Sequence, residues 1–491
     1  MIFINEHKAL LDEVENLLPW ADYDHIIWLA MNFIRHCPIE PRSNLPWYLV
    51  YSCFWTDPLR PTIWPDNPAG KFSMAAETLV RYYAYSGETW FIDVVQNMLD
   101  RLIAYSTPST YSWPGIPYAS AEPVFGIYFG ARADGHYVTE PDKIAQAALG
   151  YLAFYKLTNE RKYLDQACHC ADVLSAKIRE GDETHSPWPF RVDVRDGQPI
   201  EEYTSHVIPA IRLFDELTIL GMEPASKYDN ARELSWNWLQ HYPMKNNCWK
   251  GYFEDIRLDH ENDNRDQYSA LETARYLLLH PEKDAKWQDH VRNIIEWVVQ
   301  ILGADPFYKA VPIHEQMYCY HVMGSHTARY ASICALYAKT TGEKEYSERA
   351  IRSYNWATYM ADEQGWVRTG IDEPDYYNQC WFTDGYFDYV PHFLDGMGLI
   401  PETAPDTTDH LIQSRSIVQR ITYNPYNIQY RTFDEESTEI LRITFLPITV
   451  WSGGKMLPSL ENINEGIGWK FDDELGVLII NHRDPEVEIR G

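Results

Sequence analysis

The chain writes one helical hairpin over and over, and this repetition restricts its fold more than any other feature. The segments "RYYAYSGETWFIDVVQNML" (81–99), "AFYKLTNERKYLDQACHCADVL" (153–174) and "ALYAKTTGEKEYSERAIRSYNWA" (335–357) each read as a helix, a short polar turn and a second helix. Anchored on the turn residues Gly87, Asn159, Gly221, Glu282 and Gly342, the hairpins recur at intervals of 72, 62, 61 and 60 residues, longer than the units of short solenoids. Stretches before a turn, such as "KIAQAALGYLAFYKL" and "SHTARYASICALYAK", are apolar on more than one face, which predicts burial on both sides. Stretches after a turn, such as "EKEYSERAIRSYNWATYM", keep one polar face and read as outer helices. Inner helices are expected to start near residues 71, 143, 204, 266, 323 and 382, and outer ones near 24, 88, 159, 225, 283 and 342. Six of each close a ring, with the last inner helix beside the N-terminal one. An open superhelix of helix pairs is the alternative.

The connections are lopsided. Inner-to-outer turns take a few residues, whereas outer-to-inner loops run for about twenty to forty, well beyond ordinary connections. The long loops therefore gather at one mouth of the ring, beside the N-termini of the inner helices. Functional residues concentrate on such loops, and helix N-termini favour anions. Beyond residue 412 the pattern changes to period two, as in "RSIVQRITYN" and "EILRITFLPITVW", with turns at "WSGGK" and "HRDPE". Residues 1–400 thus read as a mainly α, (α/α)6 toroid, and 413–491 as a small antiparallel, β-sandwich-like domain docked on it.

Eighteen Trp and 35 Tyr lean towards carbohydrate, because their rings stack on the apolar faces of sugars. With 42 basic and 71 acidic residues the formal charge is −29, which repels nucleic acid and anionic lipid. The first 30 residues carry acids throughout and no uninterrupted apolar run, so neither a secretory leader nor a membrane segment is expected, and a cytoplasmic location follows unless a leader has been removed. The eight cysteines (37, 53, 168, 170, 248, 319, 334 and 380) show no paired framework and read as free thiols. No metal or cofactor is expected: Cys168 and Cys170, two apart on an outer helix, point away from each other. The sequence leaves a homo-oligomer open.

The repeated turn and the helix order resemble the six-hairpin glycosidase-like enzymes, over roughly residues 20–398. That resemblance implies an (α/α)6 toroid acting on carbohydrate as a hydrolase, an epimerase or a polysaccharide lyase. Within it the chain is most similar in layout to glycoside hydrolase family 154, β-glucuronidases with a toroid followed by a small β domain. Unsaturated glucuronyl hydrolases fit less well, since their "GQAW"-like helix start is replaced here by "DKIAQAA" and "TSHVIPA".

Glycoside hydrolysis needs two carboxyl groups across the scissile bond, one of them protonated. The first long loop offers Asp134 with Arg132, His136 and Tyr137, the Asp preceding a glycine; a surface turn is the bland reading. The second offers Trp188, Arg191, Glu202 and His206, although acids before a helix also complement its dipole. The third places Arg265, Asp266 and Tyr268 at an inner-helix start, where N-capping explains one acid but not the arginine. The fourth supplies His314 and His326, and the last Trp381 and Asp384. Counting 16 residues back from each turn gives Lys71, Lys143, Ser205, Asp266 and His326, one rung of polar residues where inner helices begin. Ser and Asp are good caps, but Lys and His are not, so the rung points to a pocket.

The expectation is an exo-acting hydrolase that releases a terminal uronic acid from an oligosaccharide. Asp266, Asp134, Glu202, Asp384 and His326 are the catalytic candidates. Arg132, Arg191 and Arg265 are expected to offset the uronate, with His136, Tyr137, Trp188, His206, Tyr268, His314 and Trp381 as further substrate contacts. A lyase or epimerase using His206, His326 and Tyr268 is the alternative, and a non-catalytic carbohydrate-binding protein stands behind both.

Overall fold

The computed structural model describes residues 3–50, 53–56, 59–62, 68–120, 136–222, 225–251, 264–318, 320–368, 379–381 and 386–491. Six long helices form the inner layer: α3 (Pro68–Ser86), α5 (Pro141–Thr158), α7 (Ile208–Ile219), α9 (Gln267–Leu279), α11 (Gly324–Thr341) and α13 (Val390–Leu399). Six more lie outside them: α1 (Tyr23–His36), α4 (Ile92–Ala104), α6 (Arg161–Lys177), α8 (Asp229–Leu239), α10 (Trp287–Leu302) and α12 (Lys344–Thr358). A single helical turn, α2 (Trp47–Val50), lies between α1 and α3.

Each inner helix packs against the next, and α13 packs back on α3, so the ring is closed. Closure is reinforced from outside, where the Tyr23 ring of α1 meets Phe393 of α13 edge-on at 5.2 Å. Burial separates the two layers as the apolar patterns require: Pro141 to Leu152 of α5 are buried without a break, whereas α10 buries a single stripe (Val291, Ile294, Ile295, Trp297, Val298 and Leu302). Small residues bring inner helices close, and a Cβ on Gly150 would lie 2.9 Å from the Ser73 Cα of α3.

Four of the five anchor turns end their helix in the left-handed conformation, at Gly87, Asn159, Gly221 and Gly342 (φ +72°, +61°, +68° and +81°). The fourth does not. There Pro281 cannot continue the helix, and a 3-10 turn over Pro281–Lys283 makes the link. Two inner helices start later than the repeat suggests, α7 at Ile208 and α13 at Val390, because Pro209 and Pro391 sit in their first turns, where a missing N–H costs nothing.

The C-terminal region is two antiparallel sheets, beginning at His410 rather than 413. One orders its strands 410–414, 437–442, 477–482, 468–472, and the other 418–424, 427–432, 486–490, 449–452, 455–456. They meet through a buried polar contact, in which Glu439 accepts from Tyr430 at 3.2 Å across the sheets and lies 2.6 Å from His482 Nε2. This region caps the ring floor. Tyr423 Oη donates to the Ala84 carbonyl (2.6 Å), His410 Nδ1 to that of Tyr85 (2.9 Å) and Gln419 to that of Lys156 (2.7 Å). All three carbonyls belong to final helical turns, where no intrahelical donor remains. Among the described residues no helix is long and apolar enough to cross a membrane.

Candidate active site

At the opposite end, where the inner helices begin, ionisable side chains collect on the ring axis. Asp266 is the N-cap of α9. Its backbone is extended (φ −121°, ψ 153°), and its Oδ1 accepts the Ser269 N–H at 2.8 Å. Oδ2 is buried without a hydrogen-bond partner among the described residues. Burial pushes this carboxyl up to about 6, against the opposing Ser269 hydrogen bonds and the charges of Lys143 and Arg329. A carboxyl of that kind keeps its proton to a higher pH than an ordinary aspartate and can give it to a leaving oxygen.

Tyr268, next on α9, lies beneath the Arg329 guanidinium, 3.7 Å above its ring. His206 meets the Tyr268 ring edge-on at 4.9 Å and has Nε2 3.3 Å from Gln146 Nε2. Burial, then the nearby cations Lys143 and Arg329, hold His206 well below the ordinary histidine range. His326, in the first turn of α11, is also buried, and desolvation takes it down to about 3 although Asp388 pulls the other way. Its Nδ1 is 3.7 Å from Asp388 Oδ2. Burial would raise Asp388, but Arg329, which donates to it, and His392 beside it outweigh that and hold it ionised. Lys143 is buried on α5 with its ammonium 3.6 Å from Asp142. The mouth therefore presents one protonatable acid, one ionised carboxylate, two neutral imidazoles, a phenol and two buried cations.

Several other expected site residues are already engaged by the scaffold. Arg191 is buried between Glu140 (2.9 Å) and Glu201 (2.8 Å), so its charge is already matched by two carboxylates. Trp188 is 2% exposed and ties its Nε1–H to the Leu174 carbonyl of α6, leaving no face for a sugar. Glu202 pairs with Arg179 at 2.5 Å with its side chain 42% exposed, away from the buried cluster. His314 bonds the Leu302 carbonyl through Nδ1 (2.9 Å) and stacks on Tyr320 at 3.6 Å. Tyr137 carries the Arg195 guanidinium over its ring at 4.1 Å, with His136 exposed next to it. Arg265 is exposed on the rim. Trp381 lies in the strand Gln379–Trp381, paired with Cys53. Arg132, Asp134 and Asp384 lie outside the described residues.

The residues brought together are Asp266, Tyr268, His206 and His326. Arg329, Asp388 and Gln146 were missed, yet helix spacing points to two of them: Arg329 is one turn beyond His326, and Gln146 one turn beyond Lys143. Among the described residues no group of His, Cys, Asp and Glu is placed to hold a metal ion.

The ring superposes on solved structures of sugar enzymes. A cellobiose 2-epimerase from Spirochaeta thermophila matches with TM-score 0.57 and 13% identity over 77% of this chain and 96% of its own. A D-mannose isomerase matches with TM-score 0.57 and 11% identity over 76% and 97%. A family 76 glycoside hydrolase from a bovine Bacteroides thetaiotaomicron strain gives TM-score 0.52 and 12% identity over 77% and 78%. At these identities the likeness establishes the (α/α)6 toroid fold. No protein-family model matches the chain, and no curated protein matches it in sequence.

Proposed function

We propose that this chain is a carbohydrate-active enzyme, an exo-acting glycoside hydrolase of β-glucuronidase type that releases a terminal uronic acid. One observation carries the reading: Asp266 is buried at the ring mouth with one oxygen fixed by its helix cap and the other unpartnered, and its pKa is raised to about 6. In this reading Asp266 protonates the glycosidic oxygen as the bond to the anomeric carbon breaks. A second carboxylate directs water or attacks that carbon. Asp134 and Asp384 are the candidates for that second group. Lys143 and Arg329, whose charges act on Asp266 and His206 although each also faces a carboxylate (Asp142, and Asp388 with Glu272), are the cations this reading gives to the sugar carboxylate. The sugar enzymes sharing the fold support the substrate class.

A second reading rests on a separate observation. His206 and His326 are both held neutral by burial, and His206 is in contact with Tyr268, a set suited to moving a proton on and off a sugar carbon, as an epimerase or lyase does.

One assay separates the readings. The enzyme is incubated with an aryl β-glucuronide and, in D₂O, with uronic oligosaccharides. Release of aryl alcohol, lost in Asp266→Asn, is the expected result. A new ultraviolet absorbance from an unsaturated uronate, or deuterium on a sugar carbon without bond cleavage, would overturn hydrolysis in favour of the histidine–tyrosine chemistry.

A further inference from the structure

We propose that Glu272 is a positioning residue of the mouth: it anchors the Arg329 guanidinium and so sets how much of that positive charge reaches Asp266 and Tyr268. The proposal deepens the hydrolase reading and rests on it where turnover is the readout.

The placement follows from helix periodicity. Glu272 lies one turn beyond Tyr268 on α9 and therefore on the same face, with its side chain 12% exposed. A small cavity of about 30 Å³ on the ring axis is lined jointly by Glu272, Tyr268, His206 and Gln146, so the carboxyl and the mouth share one space. Arg329 links them. Its guanidinium lies 3.7 Å over the Tyr268 ring, its Nε is 3.3 Å from Glu272 Oε1, and its Nη2 donates to Asp388. A planar cation held at one face and at two nitrogens has little freedom left.

Charge completes the case. Glu272 is faced by Arg275 of its own helix (3.5 Å), by Arg329 of α11, by Arg212 of α7 and by His392 of α13. Burial would raise its carboxyl, but these neighbours outweigh burial and hold it ionised. Each of the three arginines also has another carboxylate: Asp395 for Arg275, Asp388 for Arg329 and Glu77 of α3 for Arg212. Pairing alone therefore does not require Glu272. What it adds is a negative charge beside a cation that acts on Asp266, Tyr268, His206 and His326, all four. Asp266 is faced by Lys143, Arg329 and the Tyr203 phenol, and of these Arg329 is the one paired with Glu272.

The test compares Glu272→Gln with wild type. The amide keeps the shape and leaves every arginine one carboxylate, so the fold should survive, which melting curves check. With the anion gone Arg329 acts undiminished, and the Asp266 carboxyl and the Tyr268 phenol should both release their protons at lower pH. The Asp266 titration is followed by ¹³C NMR of carboxyl-labelled aspartate, through the resonance absent in Asp266→Asn. Its midpoint should fall by roughly half a unit or more. The alkaline limb of kcat/KM on an aryl β-glucuronide should fall with it. Glu272→Asp keeps the charge but draws it back from Arg329, so it should show part of the shift. Asp395→Ala removes a carboxylate from Arg275 but none from Arg329, and its shift should be the smaller. A midpoint unmoved in Glu272→Gln, or in Glu272→Asp should the amide variant not fold, overturns the proposal, as does an equal shift in Asp395→Ala. A midpoint that moves in a protein that cleaves no glucuronide would instead remove the hydrolase reading and leave Glu272 in its role.

Discussion

At the ring mouth, Asp266 Oδ2 and both nitrogens of His326 are buried without a hydrogen-bond partner among the described residues. At the floor, Asp395 accepts from Arg81 (2.5 Å) and Arg275 (2.9 Å), and Arg275 also donates to Ser332 (2.6 Å). Both sets project from inner helices, α9 and α11 in common, and apart from Arg81, whose side chain is 41% exposed, both are largely withdrawn from water. The floor groups are matched in charge, so burial there is repaid by pairing, and Asp395 is held far below the usual carboxylate range because Arg81 and Arg275 outweigh its desolvation. The mouth groups are left with the cost of burial: an acid pushed up and two histidines pushed down. Ionisable groups kept in that unfavourable state are what acid–base chemistry requires. The contrast teaches that a buried charge alone does not mark a site. A buried charge left without its partner does.

The substitution expected to strain this contrast most is Asp266→Asn. Asparagine keeps the cap on the Ser269 N–H but cannot donate an acid proton, so hydrolysis should fall by about 10² to 10⁴. The loss should be smallest for substrates whose leaving groups need little protonation, and wild-type activity should decline above pH about 6, where Asp266 ionises. Stability should move the other way. Because folding raises this pKa from 3.8 to about 6, the folded chain holds a proton that the unfolded chain has released, and the wild type loses stability as pH rises through that window. Relative to wild type, Asp266→Asn should therefore gain on the order of 3 kcal/mol between pH 4 and pH 7, at about 1.36 kcal/mol per unit. Chemical denaturation at the two pH values measures it; no gain would mean that the mouth carboxyl is not held protonated.

Asp395→Ala tests the floor. It removes one carboxylate from Arg275, which keeps Glu272 at 3.5 Å, and from the partly exposed Arg81, which should cost about 2 kcal/mol at neutral pH while turnover at the mouth is kept. The folded pKa is depressed here, so the stabilisation is present above the ordinary aspartate range and lost as pH falls through the folded value. The difference between variant and wild type should narrow in acid, opposite in sign to the Asp266 effect. A loss of turnover matching that of Asp266→Asn would erase the distinction between the two ends.

Much of the ring was legible because it is written in periodic patterns. Turn residues such as Asn159 and Gly342 announce left-handed helix ends, and stretches apolar on more than one face, such as 143–157, announce burial on both sides. The rung count found Lys143, Asp266 and His326, since residues that begin successive inner helices share one level of the ring. Loop residues were less legible. Nothing local distinguishes Arg191, matched by Glu140 and Glu201, from an arginine awaiting a substrate, because its partners lie 51 and 10 residues away. The Glu201–Glu202 pair shows the same limit. Which of two adjacent acids turns inward depends on strand register, and here the buried one is Glu201. Asp388 was missed because it gains its role from Arg329, 59 residues earlier in the chain.

The smallest expected effect concerns the seam beneath the floor. The Tyr423 hydroxyl donates to the Ala84 carbonyl of α3 and accepts the Leu411 N–H at 2.9 Å, so it ties the final turn of an inner helix to the first strand of the β domain. Tyr423→Phe keeps the ring and its packing but leaves both backbone groups unsatisfied, a loss of about 1 to 2 kcal/mol. If the β domain acts as the floor's cap, this variant should melt earlier, and Ala84 and its neighbours should exchange their amide hydrogens faster. Well below the melting temperature, kcat and KM should match wild type, because the change lies at the C-terminal end of α3 and the acid lies at the N-terminal end of α9. A shift in the pH limb assigned to Asp266 would instead show that the floor tunes the mouth, and the two ends would have to be treated as one electrostatic unit.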